Sequence, residues 1–129
     1  MSLTLDILSP KTRYEPRSEL SGTVKWQLSA APKHVDLRLF WFTSGIGDSD
    51  SEVVWSQRYD HPSISGEETF VVKLPPAPYS YSGRLISLCW SLEATAKGSD
   101  EVAVFDFVLS PFEDAAAESG GDNSIDADQ

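Results

Sequence analysis

The stretch Pro78-Tyr79-Ser80-Tyr81-Ser82-Gly83-Arg84-Leu85-Ile86-Ser87-Leu88-Cys89-Trp90-Ser91-Leu92-Glu93-Ala94 joins a turn to a long strand. From its middle on, apolar residues recur at every second position. Ile86, Leu88, Trp90, Leu92 and Ala94 share one face, and Leu85, Ser87, Cys89, Ser91 and Glu93 share the other. A two-residue period with one apolar row marks an antiparallel strand laid against a core.

The same period appears on both sides of this stretch. Upstream, Leu3, Leu5 and Ile7 share a face in a strand at about 3–8, and Leu20, Gly22, Val24, Trp26 and Leu28 alternate with polar residues over about 20–28. In a strand at about 34–43, Val35, Leu37, Leu39 and Trp41 face one way, and His34, Asp36, Arg38, Phe40 and Phe42 the other. A fourth strand at about 52–59 includes Val53, Val54, Trp55 and Tyr59, and a fifth at about 67–74 turns Phe70, Val72 and Leu74 inward. Downstream, a strand at about 101–109 sets Ala103, Phe105, Phe107 and Leu109 against Val102, Val104, Asp106 and Val108. Turn-rich segments separate them: Ser9 to Pro16, Ala31-Pro32, Thr43 to Ser51, His61 to Gly66, the Pro75/Pro76/Pro78 cluster and Lys97 to Asp100. Proline cannot donate to a strand ladder, so the last of these clusters ends the fifth strand. Seven short strands with no amphipathic helix predict an all-β sandwich of two antiparallel sheets.

A chain of 129 residues is one domain by length, with four Trp, six Phe and four Tyr to fill a core. The net charge of −10 is unevenly placed. Residues 110–129 hold six acids (Glu113, Asp114, Glu118, Asp122, Asp126 and Asp128) and no base; taking them from the twenty leaves fourteen acids against ten bases, a net of −4, in residues 1–109. Two units are therefore expected: a folded body over 1–109 and an acidic flexible tail over 110–129, too poor in large apolar residues to repay the entropy of ordering. Only Phe112 and Ile125 offer the tail a foothold. The acidity argues against a nucleic-acid partner and an anionic membrane surface, both of which need concentrated positive charge. There is no apolar run long enough for a membrane helix and no secretory leader pattern. With a single cysteine, Cys89, no internal disulfide forms, and a cytoplasmic protein is the expectation.

Two places resemble the N-terminal domain of arrestin-like proteins, an immunoglobulin-like sandwich. Tyr14-Glu15-Pro16-Arg17-Ser18-Glu19-Leu20-Ser21-Gly22-Thr23-Val24 is similar to the family's tyrosine–proline turn, which enters a strand through a glycine; Arg17 stands where the family often has glycine after the proline. Leu74-Pro75-Pro76 through Gly83-Arg84-Leu85-Ile86-Ser87 to Leu92-Glu93-Ala94 is similar to its proline-rich turn, serine–tyrosine–x–glycine step and following strand. The resemblance covers roughly residues 3–109, room for one such domain where the family usually has two. The first strand, Leu3 to Leu8, has no base, so the paired lysines of a phosphate sensor are missing and receptor desensitisation does not carry over. The resemblance implies a cytoplasmic, non-catalytic scaffold that binds other proteins, as in single-domain and bacterial members, the sporulation-control type among them.

No motif carries chemistry. Asp48, Asp50 and Glu52 alternate in a loop and are weak candidates for a hard cation, but EF-hand spacing is absent. No serine lies in a Gly-x-Ser-x-Gly elbow, and no phosphate loop, zinc cluster or nucleotide fingerprint occurs. His34 and His61 read as surface residues, and a hydrolase would need a deep polar pocket around one of them. Cys89 has no neighbour in sequence to lower its pKa. Neither a catalytic residue nor a cofactor is expected.

The feature pointing to function is apolar. If the 34–43 strand neighbours the 86–94 strand, Phe40 and Phe42 lie beside the small residues Ser87, Cys89 and Ser91, with Val102 and Val104 beyond. Such a face is an interaction surface for a protein partner, covered otherwise by the tail or a second copy in a homodimer. A free sheet edge offers strand addition as another mode. The competing reading is a small-ligand or carbohydrate-binding sandwich with Trp41, Trp55, Tyr79 and Tyr81 as stacking platforms.

Overall fold

The computed structural model describes residues 1–45, 49–83 and 86–112. Asp48, Arg84, Leu85 and residues 113–129, Ile125 included, lie outside them. Seven long strands form where the alternation places them: β1 Ser2–Ile7, β3 Glu19–Gln27, β4 His34–Gly45, β5 Ser51–Asp60, β6 Ser65–Lys73, β8 Ile86–Ala96 and β9 Val102–Leu109. Two two-residue strands, β2 Arg13–Tyr14 and β7 Tyr81–Ser82, come from segments expected as turns.

The strands form two sheets, one ordered β1-β3-β6 and the other β2-β9-β8-β4-β5, with β7 also paired to β8. The β2–β9 pair is parallel and the others are antiparallel. The inward rows meet between the sheets: Leu3, Leu20, Val24, Trp26, Phe70, Val72 and Leu74 from the smaller one, and Val35, Leu37, Leu39, Leu88, Trp90, Leu92, Phe107 and Leu109 from the larger. Ile86, expected at the head of the inward row, is 40% exposed. It is the first residue of β8 and pairs with Gly45, which has no side chain to cover it.

The two segments that carry the resemblance have defined structural tasks. The Trp90 indole N–H donates to the Pro78 carbonyl oxygen at 2.8 Å, so the proline-rich turn satisfies the one polar group of a fully buried tryptophan. Ser80 then fastens this turn to β9: its N–H donates to the Leu109 carbonyl at 2.8 Å, and its hydroxyl accepts from the Leu109 N–H at 2.9 Å. In the earlier segment, Tyr14 is buried with its ring edge-on to Phe105 and Phe107. The Ser110 N–H reaches the Tyr14 carbonyl at 3.1 Å. Arg17 adopts a left-handed φ of 68°, the conformation that makes glycine the usual residue at such a position.

β5 contains a bulge. Trp55 pairs with Leu39 but Val53 pairs with Phe40, so Val54 is an extra residue. The bulge explains the lost alternation of the fourth strand: Trp55 and Tyr59 follow the inward residues Leu39 and Val35, whereas Val53 joins the outward side beside Phe40.

Gly22 pairs with Ile7, and a Cβ there would run into the Asp6 carbonyl oxygen. Gly22→Ala should therefore cost about 1–3 kcal/mol, measured by urea unfolding, because the β1 backbone must move. At the strained turn the order reverses: Arg17→Val should lose about 1–2 kcal/mol, while Arg17→Gly should match the wild type or exceed it.

Candidate functional site

The outward side of the larger sheet divides into an apolar end and an ionic end, and the register decides which residues meet. On β4 the outward row runs His34, Asp36, Arg38, Phe40, Phe42. Phe40 lies between Val53 on β5 and Ser91 on β8, and Phe42 lies between Ser51 and Cys89. The two phenyl rings are half-buried, with centroids 5.9 Å apart and planes tilted by 36°. With Val53, which is exposed, they form an apolar stripe at the β5 side of the sheet.

The expected neighbours join this stripe unequally. Cys89 borders it and is half-buried; burial pushes its thiol pKa up and the nearby Asp106 carboxylate adds to the shift, so the thiol stays protonated and unreactive. Ser87 is half-buried and paired with Ser44 and Ser82 near the sheet end. Ser91 is not part of the open surface: it is 1% exposed, flanked by Phe40 and Asp106, with its hydroxyl donating to Asp106 Oδ1 at 2.7 Å. Val102 and Val104 are exposed on the same side but pair with Thr95 and Glu93, so β8 side chains separate them from the phenylalanines. The expectation of one continuous patch is corrected on this point, because the register sets them beside the ionic end.

Arg58 on β5 stands directly opposite Asp36 on β4. Its Nε donates to Asp36 Oδ1 at 2.8 Å and a terminal nitrogen to Oδ2 at 3.4 Å. His34 Nδ1 is 3.1 Å from Asp36 Oδ2, without the alignment of a hydrogen bond. Arg38 lies between Asp36 and Glu93, 3.7 Å and 3.9 Å from their carboxylate oxygens. Burial works against the Asp36 carboxylate, but the Arg58 hydrogen bond and the charges of His34, Arg58 and Arg38 outweigh it and hold its pKa below the ordinary value. With the 97–100 hairpin, this cluster lines a cleft of about 510 Å³.

Sequence reasoning named every residue of the β4 row yet missed the cluster. Its legible signal was His34-x-Asp36-x-Arg38, three ionisable groups on one strand face. The Arg58 partner depends on a cross-strand register that the bulge conceals. His34, expected at the surface, is half-buried on the wall of an open polar cleft, not in the deep pocket that a hydrolase would need. No hydrogen bond joins it to a serine among the described residues; Ser99, on the same cleft, instead accepts the Glu101 N–H through its hydroxyl at 3.0 Å. His61 sits exposed in the turn after β5.

Of the cation candidates, Asp50 uses its backbone to close the loop with Thr43, Glu52 is exposed opposite Trp41, and Asp48 lies outside the described residues. The described residues hold no group of three metal-ligating side chains. Of the stacking candidates, Trp41 and Trp55 pack against the core, while Tyr79 and Tyr81 are exposed. No helix among the described residues is long and apolar enough to cross a membrane.

No protein-family model and no curated protein matches the chain. Among solved structures it is similar to Spo0M, a sporulation control protein from Bacillus subtilis, with 15% identity and a TM-score of 0.56 over 87% of this chain. The match takes in 51% of the Spo0M chain, so the present sequence spans about half its length. A β-glucosidase from Listeria innocua, solved in complex with gluconolactone, matches with 15% identity and a TM-score of 0.49 over 86% of this chain and 16% of its own. At such identity the likeness to Spo0M is one of fold alone, and it supports a distant arrestin-like sandwich.

Because its folded-state pKa is depressed, Asp36 contributes stability that is complete above the unfolded value of about 3.9 and disappears as pH falls through the lower folded value. Chemical unfolding should show Asp36→Asn to be about 1–3 kcal/mol less stable than wild type at pH 7. The gap should narrow below about pH 4, as the Asp36 carboxylate becomes protonated.

Proposed function

We propose that the chain is a non-enzymatic protein-binding or scaffolding module, a single arrestin-like domain of the sporulation-control type that works in the cytoplasm. The observation that carries this reading is the outward stripe of Phe40, Phe42 and Val53, a tilted aromatic pair on a sheet face that no other described element covers. Clustered aromatic and aliphatic side chains supply most of the energy when a protein interface closes, whereas scattered single ones do not. The stripe is also mounted on β4, which pairs along its length with both β5 and β8, so little conformational entropy is lost when a partner docks.

The sheet edges provide a second route on the same module. β5 and β6 each end a sheet, and their outer backbone groups are placed to accept an added strand. The resemblance to arrestin-like proteins agrees with a task built on recognition.

A pull-down from native lysate tests the role of the face. Wild type should retain one or more partners that the Phe40→Ser/Phe42→Ser double variant loses, with loss of at least about tenfold in captured amount. If a correctly folded double variant retains every partner, the phenylalanine face is not the docking surface.

A further inference from the structure

We propose that the outer edge of β6 pairs antiparallel with the same edge of a second copy of this chain, joining the smaller sheets of two molecules across a twofold axis at Phe70. The inference rests on the sheet-edge route proposed above and names its occupant.

Four strands end the two sheets: β1 and β6 the smaller, β2 and β5 the larger. β2 has two residues, too few for a ladder, and the bulge at Val54 breaks the regular spacing of β5. β1 is regular, but its outward row holds one charge, Asp6, which already lies 3.5 Å from Lys25. β6 is the better edge. Its nine residues pair with β3 without a register shift, from Glu19 opposite Lys73 to Gln27 opposite Ser65, and none of them is proline. No backbone hydrogen bond from a turn or loop among the described residues reaches it, so its far side is open to another strand.

The charges on and beside β6 select both the occupant and the register. Phe70 and Val72 are buried, so Glu67, Thr69, Val71 and Lys73 form the outward row, with Val71 exposed among them. Within the sheet Lys25 lies opposite Glu67, and Glu19 opposite Lys73. A twofold axis at Phe70 sets Glu67 opposite Lys73 of the second copy and Thr69 opposite its Val71, and repeats both pairs beyond the axis. The outward face then runs Lys25, Glu67, Lys73, Glu19 across four strands, the sign of charge alternating at every step. Other registers that keep the two inward rows on one side lose this match. An axis at Glu67 or Glu68 opposes two like carboxylates. An axis at Thr69 sets Glu67 against Val71 and Lys73 against Ser65, and one at Val71 carries Glu67 past the strand end to Pro75. With the axis at Phe70, Glu68 falls opposite Val72, whose side chain is turned into the core, and makes no charge pair.

Sedimentation equilibrium of the full chain tests the assignment. The buffer should contain about 0.15 M salt, whose Debye length of about 8 Å screens the mutual repulsion of two copies of net charge −10 more than it screens adjacent ion pairs. Wild type should be a reversible dimer. Glu67→Lys and Lys73→Glu should each raise the dissociation constant at least about tenfold, because each sets like charges opposite at two places. An equimolar mixture of the two variants should dimerise again, since one then supplies only cations to the joined edge and the other only carboxylates. A folding defect in either variant would not be repaired by mixing. Phe40→Ser/Phe42→Ser should dimerise as wild type does. A wild-type chain that remains monomeric at about 0.5 mM overturns the proposal. So does a mixture that stays dissociated, or a dimer that Phe40→Ser/Phe42→Ser abolishes and Glu67→Lys leaves intact. The phenylalanine face is read separately by the pull-down and stands or falls on that result.

Discussion

The hydrogen bond from the Trp90 indole to the Pro78 carbonyl fixes the proline-rich turn over the core, and the rest of the larger sheet is arranged around it. Trp90 lies on β8, the strand that pairs with β4, β7 and β9, and its side chain is fully enclosed. An unpaired indole N–H at that place would cost about 1–3 kcal/mol. Satisfying it requires the proline-rich turn to sit over the core, which brings Ser80 to the end of β9. Phe107 on β9 stacks on Trp90, and Tyr14 packs edge-on against Phe107. The two segments that resemble arrestin-like proteins, some 60 residues apart in the chain, are thus successive links in one line of aromatic contacts.

This division of labour explains how one sheet supports two kinds of chemistry. Inward residues of β4, β8 and β9 are committed to the core, where a change of a single methylene is felt. The outward residues contribute less to folding, and there the chain places an aromatic pair and an ionic cluster side by side. The cluster has its own internal order. Asp36 and Arg58 are joined by a hydrogen bond of 2.8 Å, whereas Arg38 and Glu93 are 3.9 Å apart.

Much of the fold was legible because the core rows repeat every second residue and prolines and glycines mark the turns. Trp90, Leu37 and Phe107 were assigned inward on that basis, and Phe40 and Phe42 outward. Alternation gives the face of a residue but not its neighbours across the strands, so it cannot separate Val102 and Val104 from the phenylalanines or show that Ser91 is enclosed between Phe40 and Asp106. The Asp36–Arg58 pair escaped for the same reason, since its partners are 22 residues apart and meet through a ladder whose register shifts within β5. β2 and β7 were missed because two residues cannot show a period. Their pairing follows from the tertiary contacts of Tyr14 and Ser80.

The bulge at Val54 uncouples the two ends of β5 from one another. Upstream of it the strand presents Val53 outward, and downstream it presents Trp55 and Tyr59 inward. In an unbroken strand Val53 and Trp55 would point the same way, so the residue that widens the aromatic stripe could not coexist with the one that closes the core. One inserted residue removes that conflict. A substitution at Val53 can therefore change the reach of the exposed stripe without disturbing the packing of Trp55 against the interior. Insertion or loss of a residue at this position would redraw the outer surface in a single genetic step, where point substitutions would have to proceed side chain by side chain.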